Sequence, residues 1–595
     1  MTYADPQSRA PSFPARPAPG PVPGGAFARW WGRRIWALEH AFERSKAKNR
    51  AVDDTQLRIF GVLLIFGGAF ATLATGASHR ALFSEAARAQ KAAPPPMVAR
   101  ADLVDRNGRL LAMDLTHYGV YLDPTEVWDP NETRTALRAA LPKLAPARLE
   151  RALAREKRSL LFAGLTPQER TRIRDLGLPG ISFEPEQRRV YPLGAQAAHL
   201  VGFTDFGGQG IAGAERGLDA EMKAGGKGGV VPLSIDLRVQ AALEDEVQKA
   251  AIEQQVKGAV GIIADVKTGE ILGITSYPDF NPAQAGKHSP DQLLNRAVQS
   301  VYEMGSTFKG ITIAAGLDSG AISRESTFDA SVPFRMAGRT IRDFHAENRV
   351  LTTEEVFTKS SNIGTSRIAL AVGPERFSTY LQKLGLFERA PIELKETARP
   401  ILPAKWNETT LASASFGHAI SVTPIALAQA MMPIASGGYR VPLTIRKRDG
   451  APPHGEQVLK PETSRAMLEL MRMNVVAGSG KKADFPGLSV GGKTGTGEKV
   501  INGRYDDRAN IASFAAVFPT DGPLDAQRYF VLVLLDEPQG SPSTYGFRTG
   551  GWAPALAVGH TIARVHPFLK VKPKPVVVAG EHEQMASAHA LATER

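Results

Sequence analysis

Gly487-Leu-Ser-Val-Gly-Gly-Lys-Thr-Gly-Thr-Gly-Glu-Lys499 supports two incompatible readings, and the choice between them decides the fold. Its first eight residues satisfy the phosphate-loop pattern G-x-x-x-x-G-K-[ST] literally. A phosphate loop needs a strand before it and a helix after it. Here Lys481-Lys-Ala-Asp-Phe-Pro486 precedes, and Gly495-Thr-Gly-Glu498 followed by Asn502-Gly503 cannot open a helix. The other reading is an apolar strand, Leu488 to Thr494, ending in Lys-Thr-Gly among glycines. Small residues there let a substrate backbone lie alongside the strand edge. A nucleotide fold is set aside, and the strand calls for partners.

Two partners lie upstream. Gly258 to Asp265 and Ile271 to Tyr277 are apolar runs separated by Lys267-Thr268-Gly269-Glu270, a hairpin signal. Two lie downstream, Ile511 to Phe518 and Tyr529 to Leu535. Between the groups, roughly Ser306 to Met473, the pattern is mainly helical, and Pro554 to Arg564 closes as a helix. Two strands, many helices, three strands and a final helix describe an α/β sandwich around an antiparallel sheet, over residues 230–571.

Ahead of it, residues 79–229 alternate short β-like runs with charged helical stretches, and Gly225-Gly226-Lys227-Gly228-Gly229 reads as a hinge. Ile59 to Ser78 carries no charge over twenty residues, long enough for a ~30 Å hydrocarbon core. Ten Lys/Arg precede that span, against Arg80, Arg88 and Lys91 just after it. Positive-inside reasoning puts residues 1–58 in the cytoplasm and the rest outside, where ATP is scarce. Residues 1–25 read as a Pro-rich disordered tail, and 27–48 as a basic amphipathic helix for a membrane surface. Ala92 to Pro96 reads as a stiff linker and 572–595 as a polar C-terminal tail.

Ser-x-x-Lys occurs at Ser45, Ser306 and Ser479, so one copy alone means little. Ser45 is cytoplasmic, and Ser479 sits in Gly-Ser-Gly-Lys-Lys, a loop poorly suited to hold fixed geometry. Ser306 follows Gly305 at the start of a helical pattern, with Lys309 one turn along the same face. A helix N-terminus offers N–H groups to a developing oxyanion. Ser360-Ser361-Asn362 falls between a helix opened by a Thr352-x-x-Glu355 capping box and the run Ile363 to Val372, a junction able to present side chains into a cleft. Lys267-Thr-Gly269 is explained as turn chemistry, leaving Lys493-Thr-Gly495.

Ser306-x-x-Lys309, Ser360-x-Asn362 and Lys493-Thr494-Gly495, in that order, form the triplet of penicillin-binding proteins and class A β-lactamases. The chain resembles a class B, monofunctional penicillin-binding protein, and most resembles the division-specific (FtsI-type) transpeptidases. Arg100 to Gly108, Arg188 to Pro192 and Gly213 to Asp219 look like the family's non-catalytic pedestal domain. Asn295-Arg296, Tyr302 to Ser306, Gly417-His418 and Val422-Thr423-Pro424 match its transpeptidase domain, with Met304 where many relatives have proline.

The resemblance implies one transmembrane helix, a mixed α+β pedestal and a β-lactamase-like domain with a five-stranded antiparallel sheet between helices. It implies a periplasmic D,D-transpeptidase of the inner membrane, at the division septum, working on D-Ala-D-Ala stem peptides and acylated by β-lactams. Ser306 would be the nucleophile and Lys309 its base, with Ser360 relaying a proton and Lys493 supporting it. Asn362 would bind the substrate amide and Thr494, Gly495 and Thr496 the rest of the substrate, the two threonines holding its carboxylate. The N–H groups of Ser306 and Thr496 would form the oxyanion hole. An FtsW-type glycan polymerase and other division proteins are the implied partners. A class A β-lactamase is disfavoured for want of Glu-x-x-Leu-Asn between Asn362 and Lys493, and a bifunctional enzyme for want of a glycosyltransferase signature. An elongation role, a D,D-carboxypeptidase, or a sensor or scaffold with a vestigial site remain open.

This assignment must also work physically. Lys309 serves as a base only when neutral, and the ordinary lysine pKa of ~10.4 is too high. Burial and a second cation, Lys493, would lower it; a three-unit drop is roughly 4 kcal/mol of environmental bias. Composition agrees. The 595 residues carry 72 Lys+Arg against 60 Asp+Glu, a net +12, and no cysteine. Thiol chemistry and Cys-ligated metals are thereby excluded. No His-x-x-x-His spacing occurs, so neither metal nor cofactor is expected, and His345 and His418 read as packed or solvated. Residues 1–58 hold ten Lys/Arg and five Asp/Glu; the other +7 is too dilute to argue for nucleic acid.

Overall fold

The computed structural model describes residues 61–62, 64–75, 99–336, 339–501 and 504–575. The expected cytoplasmic segment 1–58, the Pro-rich linker and residues 576–595 lie outside them. The described residues fall into two units, 61–75 and 99–575. In the first, 61–62 and 64–75 are helical, with Ile65, Phe66, Phe70 and Leu73 exposed. Thr72 and Thr75 turn their hydroxyls onto the Gly68 and Ala71 carbonyls. Among the described residues no helix is long and apolar enough to cross a membrane; the ends of the expected span, 59–60 and 76–78, are not among them.

The second unit opens with a five-stranded sheet. β1 (Asp102–Val104) lies between β2 (Leu110–Leu122) and β5 (Val230–Pro232); β2 also pairs with β3 (Ser159–Leu165) and β4 (Ile181–Val190). All pairs are antiparallel except β1 with β5, which brings the chain back beside its own start. Three amphipathic helices, α1 (Pro130–Ala140), α2 (Pro146–Leu153) and α3 (Pro167–Arg174), cover the far end around Val120, Leu137, Leu149 and Leu161.

At the near end, α4 (Gly213–Gly217) and α5 (Asp219–Gly225) close over a buried ionic knot. Glu215 accepts from Arg100 Nε at 3.1 Å and Nη2 at 2.7 Å, and from Arg189 Nε at 2.6 Å. Asp114 pairs with Arg189 and Asp219 with Arg100. The side chains of Arg100, Glu215 and Arg189 are at most 1% exposed. Three separate sequence motifs thus meet in one place because each supplies a charge the others must neutralise.

The large sheet is built as the sequence pattern requires. Its order is β14 (Gly491–Ile501), β15 (Arg504–Phe518), β16 (Tyr529–Asp536), β6 (Gly258–Asp265) and β7 (Ile271–Tyr277), every pair antiparallel. Every residue of β6 and β16 is buried. Val531, Val533 and Leu535 face α6 (Leu237–Glu253) and the closing helix Ala553–Val565. Phe530, Leu532 and Leu534 face the helices that carry the site. With both faces covered, a continuous apolar run replaces alternation, and each such side chain contributes roughly 1.5–3 kcal/mol.

Three details differ from the sequence expectation. β14 does not stop at Thr494 but runs on through the glycines to Ile501. A Cβ on Gly495 would sit 2.7 Å from the Met304 carbonyl, and one on Gly497 2.6 Å from that of Glu303. These glycines therefore let the strand lie against residues 303–305. The helical middle is also interrupted by short pairs, β8 (Thr327–Asp329) with β11 (Val350–Thr352), and the β9 (Phe334–Met336)–β10 (Arg339–Ile341) hairpin. A further small pair, β12 (Tyr439–Arg440) with β13 (Glu456–Gln457), follows. Residues 572–575, expected to begin a free tail, are tied down: Lys574 N–H donates to the Gly487 carbonyl at 2.9 Å, and its amine pairs with Asp521.

Candidate active site

Three segments converge beside β14. The first is the turn at Gly305, whose φ of +55° suits glycine and whose missing Cβ would otherwise lie 2.4 Å from the Thr496 carbonyl. The chain passes through one 3₁₀ turn, Gly305–Phe308, into α7 (Lys309–Asp318). Ser306 is half-buried, whereas Lys309 is fully buried. The second is the junction of α8 (Thr353–Thr358) with α9 (Asn362–Val372), where the Thr352/Glu355 capping box is present as expected. The third is β14, which sends the fully buried Lys493 inward.

The two lysines meet on one hydroxyl. Lys493 Nζ lies 2.9 Å from Ser360 Oγ, and Lys309 Nζ lies 3.1 Å from it while donating to the Ser360 carbonyl at 2.5 Å. Burial drives the Lys493 pKa down to about 7. Burial, and then the charge of Lys493, push Lys309 well below the ordinary lysine value, with Asp343 pulling the other way. These are the two causes anticipated for a neutral amine base.

The remaining site residues are placed as follows. Ser306 Oγ makes no hydrogen bond among the described residues, and the Lys309 amine is turned to Ser360. Asn362 is half-buried and spends one amide N–H on the Arg342 carbonyl at 2.9 Å. The Thr496 carbonyl faces Gly305, and in an extended strand its N–H points to the same side. Thr496 Oγ1 accepts from Gly550 N–H at 3.2 Å.

Thr494 Oγ1 is 2.7 Å from Ser479 Oγ, which overturns the reading of the Ser479 loop as poorly fixed. Asn474 holds that loop, accepting from Ser479 N–H at 3.2 Å and donating to the Gly492 carbonyl at 2.8 Å. His345 is exposed and edges onto Phe344. His418 is half-buried beside Phe416 and Tyr505, its pKa lowered to about 4 by burial first and by Lys309 second.

Sequence reasoning missed Asn474 and Asp343. Asn474 carried at most a faint signal, a polar residue flanked by Met473 and Val475 near the end of a helical pattern. Asp343 carried none, since it lies in a polar loop seventeen residues before Ser360.

Known proteins resemble this chain in sequence and fold. The penicillin binding protein transpeptidase domain matches residues 259–550, and the penicillin-binding protein dimerisation domain matches 95–224. A probable peptidoglycan D,D-transpeptidase FtsI of Caulobacter vibrioides is 54% identical over 567 residues, covering 93% of this chain and 96% of that protein. The peptidoglycan D,D-transpeptidase FtsI of Escherichia coli K12 is 30% identical over 523 residues, covering 82% and 86%. The crystal structure of penicillin binding protein 3 from Mycobacterium tuberculosis, complexed with aztreonam, superposes with a TM-score of 0.61 at 25% identity, over 81% of this chain and 99% of that one. With the serine, the two lysines and a dimerisation domain in one chain, and a relative matched nearly end to end, the protein belongs to the class B penicillin-binding proteins of the FtsI type.

Proposed function

We propose that the chain is a septal D,D-transpeptidase that cross-links peptidoglycan through an acyl-Ser306 intermediate. The observation that carries this is the convergence of two fully buried lysines on Ser360 Oγ, one of them, Lys309, a turn along the chain from Ser306. Ser306 Oγ attacks the carbonyl of the penultimate D-Ala, forming the C–O ester bond and giving its proton to neutral Lys309. Ser360 passes that proton to the nitrogen of the terminal D-Ala as the C–N bond breaks. Lys493 holds Ser360 and adds positive charge beside it. The Ser306 and Thr496 N–H groups stabilise the oxyanion, each donor worth about 3 kcal/mol. Asn362 binds the substrate amide, and Thr494 and Thr496 the carboxylate beside Gly495. A neighbouring stem-peptide amine then attacks the ester, forming the new amide and returning the proton to Ser306.

We further place the enzyme in the inner membrane by one helix over 59–78, with 1–58 cytoplasmic and the catalytic region periplasmic. The exposed apolar side chains of 64–75 and the internally satisfied Thr72 and Thr75 hydroxyls support it. Residues 79–229 serve as the pedestal, 230–571 as the catalytic domain, and an FtsW-type polymerase as the membrane partner. Covalent labelling by a fluorescent penicillin tests the core of this reading: the wild type labels and Ser306→Ala does not. Undiminished labelling of the variant would refute the mechanism. Product analysis with an amine acceptor separates cross-linking from hydrolysis, and midcell location of a fluorescent fusion separates division from elongation.

A further inference from the structure

The loop at Arg342 and Asp343, between β10 and β11, contributes no reacting group. Three hydrogen bonds nevertheless join it to the Ser360-Ser361-Asn362 turn. Ser361 Oγ donates to Asp343 Oδ2 at 2.6 Å, Ile363 N–H donates to Asp343 Oδ1 at 2.9 Å, and Asn362 Nδ2 donates to the Arg342 carbonyl at 2.9 Å. The turn needs such support. Ser360 has φ +58°, a left-handed conformation that a residue with a Cβ adopts only when its surroundings impose it. The turn's own backbone N–H groups reach back into α8, Ser360 N–H to the Phe357 carbonyl at 3.3 Å and Ser361 N–H to that of Val356 at 3.0 Å, while the Ser360 carbonyl accepts from Lys309 Nζ and the Ser361 carbonyl from Thr365. The carboxylate also faces the N-terminus of the eleven-residue helix α9, where unpaired N–H groups favour negative charge.

We propose that Asp343 is a positioning residue for the transpeptidase reaction: it clamps the Ser360 turn so that Ser360 Oγ stands between the two lysine amines, and its charge opposes that of Lys493 at Lys309. The inference rests on the mechanism proposed above and goes beyond it by assigning work to a residue outside the three motifs. Lys309 is faced by Lys493 from β14, by His418 from the segment ahead of the helix Pro424–Ala435, and by Asp343 from this loop. Arg342 and His345 flank Asp343 on the exposed side of the loop. Lys359, next to Ser360, is already paired with Glu347 at 3.0 Å. Asp343 is thus the carboxylate set against the buried amines, and it reaches them through the turn it holds.

Clamp and charge separate experimentally. Asp343→Asn keeps both contacts in shape, its Nδ2 donating to Ser361 Oγ and its Oδ1 accepting from Ile363 N–H, but removes the charge. Ser361→Ala removes the Oγ contact and keeps the charge. Asp343→Ala removes both. The second-order rate of acylation by a fluorescent penicillin is measured across pH 5–9 on the full-length protein in detergent, with Ser306→Ala as the blank.

Without the carboxylate, Lys309 releases its proton more readily, so the acid limb of the Asp343→Asn profile moves to lower pH by about half a unit to one unit. Ser361→Ala slows acylation several-fold with the limb unmoved, and Asp343→Ala slows it by more than about tenfold. Wild-type rates for both Ser361→Ala and Asp343→Ala would overturn the clamp. A superimposable Asp343→Asn profile would overturn the charge role. Labelling of wild type but not of Ser306→Ala keeps the underlying mechanism standing whatever the Asp343 series shows.

Discussion

Glu215→Gln is the sharpest perturbation of the pedestal, because it preserves shape while removing the charge between two buried arginines. Glu215 accepts three side-chain N–H bonds from Arg100 and Arg189 at 2.6–3.1 Å, with no solvent access. A glutamine oxygen retains at most one of the two oxygens' roles, and its NH₂ is turned against a guanidinium donor. Losing one or two charge-assisted bonds of about 1.5–3 kcal/mol each, and leaving an arginine under-neutralised, gives a cost of about 3–5 kcal/mol. For a unit of this size that is roughly a 10–20 °C fall in the pedestal's Tm. The assay is thermal unfolding of the full-length protein in detergent, with limited proteolysis between residues 99 and 229 as the local readout. Penicillin labelling at 25 °C serves as the check that the catalytic region is intact. A Tm within about 3 °C of wild type, with unchanged proteolysis, would refute the argument and mean that water relaxes into the knot. The compensating experiment replaces the whole knot, Arg100→Met, Arg189→Met and Glu215→Leu together with Asp114→Asn and Asp219→Asn so that no carboxylate is left without its arginine, and should recover most of the loss, since a buried ionic cluster is costly to break but not to replace whole.

Two further outcomes follow from the site. Acylation requires a neutral Lys309, and both amines bind protons less readily than ordinary lysines, Lys493 with a pKa of about 7. The rate should therefore rise with pH through the neutral range, level off, and fall about tenfold per unit on the acid side; a flat profile from pH 5 to 9 would contradict a lysine base. Ser479 has one proton to place between Asn474 Oδ1 at 3.2 Å and Thr494 Oγ1 at 2.7 Å. Donated along the shorter contact, it leaves the Thr494 proton free for a substrate carboxylate, so Ser479→Ala should slow acylation by a penicillin about fivefold and leave a thioester lacking that carboxylate unaffected. Equal losses for both substrates would count against this orientation.

How much of this could be read beforehand depends on where each signal lies in the chain. β6 and β7 were legible to the residue because two apolar runs flank a turn whose Asp265 carboxylate caps Lys267 and Thr268 N–H groups. The far end of β14 was not, because glycine's local preference disfavours a strand, and only the approach of residues 303–305 makes Gly495 and Gly497 necessary. Ser306, Lys309, Ser360 and Lys493 carried motif spacing; Asp343 acts through contacts across the fold, which no local window contains. Ser479 was misjudged for the same reason, since its rigidity comes from Asn474 on the preceding helix.

The buried amines also explain why the site is so heavily braced. Holding Lys493 at a pKa of about 7 against an ordinary 10.5 corresponds to about 5 kcal/mol of lost stability at or below neutral pH. The sign follows from proton counting: between pH 7 and 10.5 the unfolded chain binds the proton and the folded one does not, so this penalty shrinks as pH rises through that window. Lys309 adds a cost of the same sign, and the left-handed Ser360 a smaller one. The surroundings offset it locally. Gly417 and Gly495 bring backbone against the Gly305 turn, a capping box fixes α8, and Asp343 ties the Ser360 turn to its neighbouring loop. A nucleophile on a more solvated helix would cost the fold less, but its lysine would stay protonated at neutral pH. The instability of the site and its reactivity are therefore the same electrostatic quantity, and a substitution that relieves one should diminish the other.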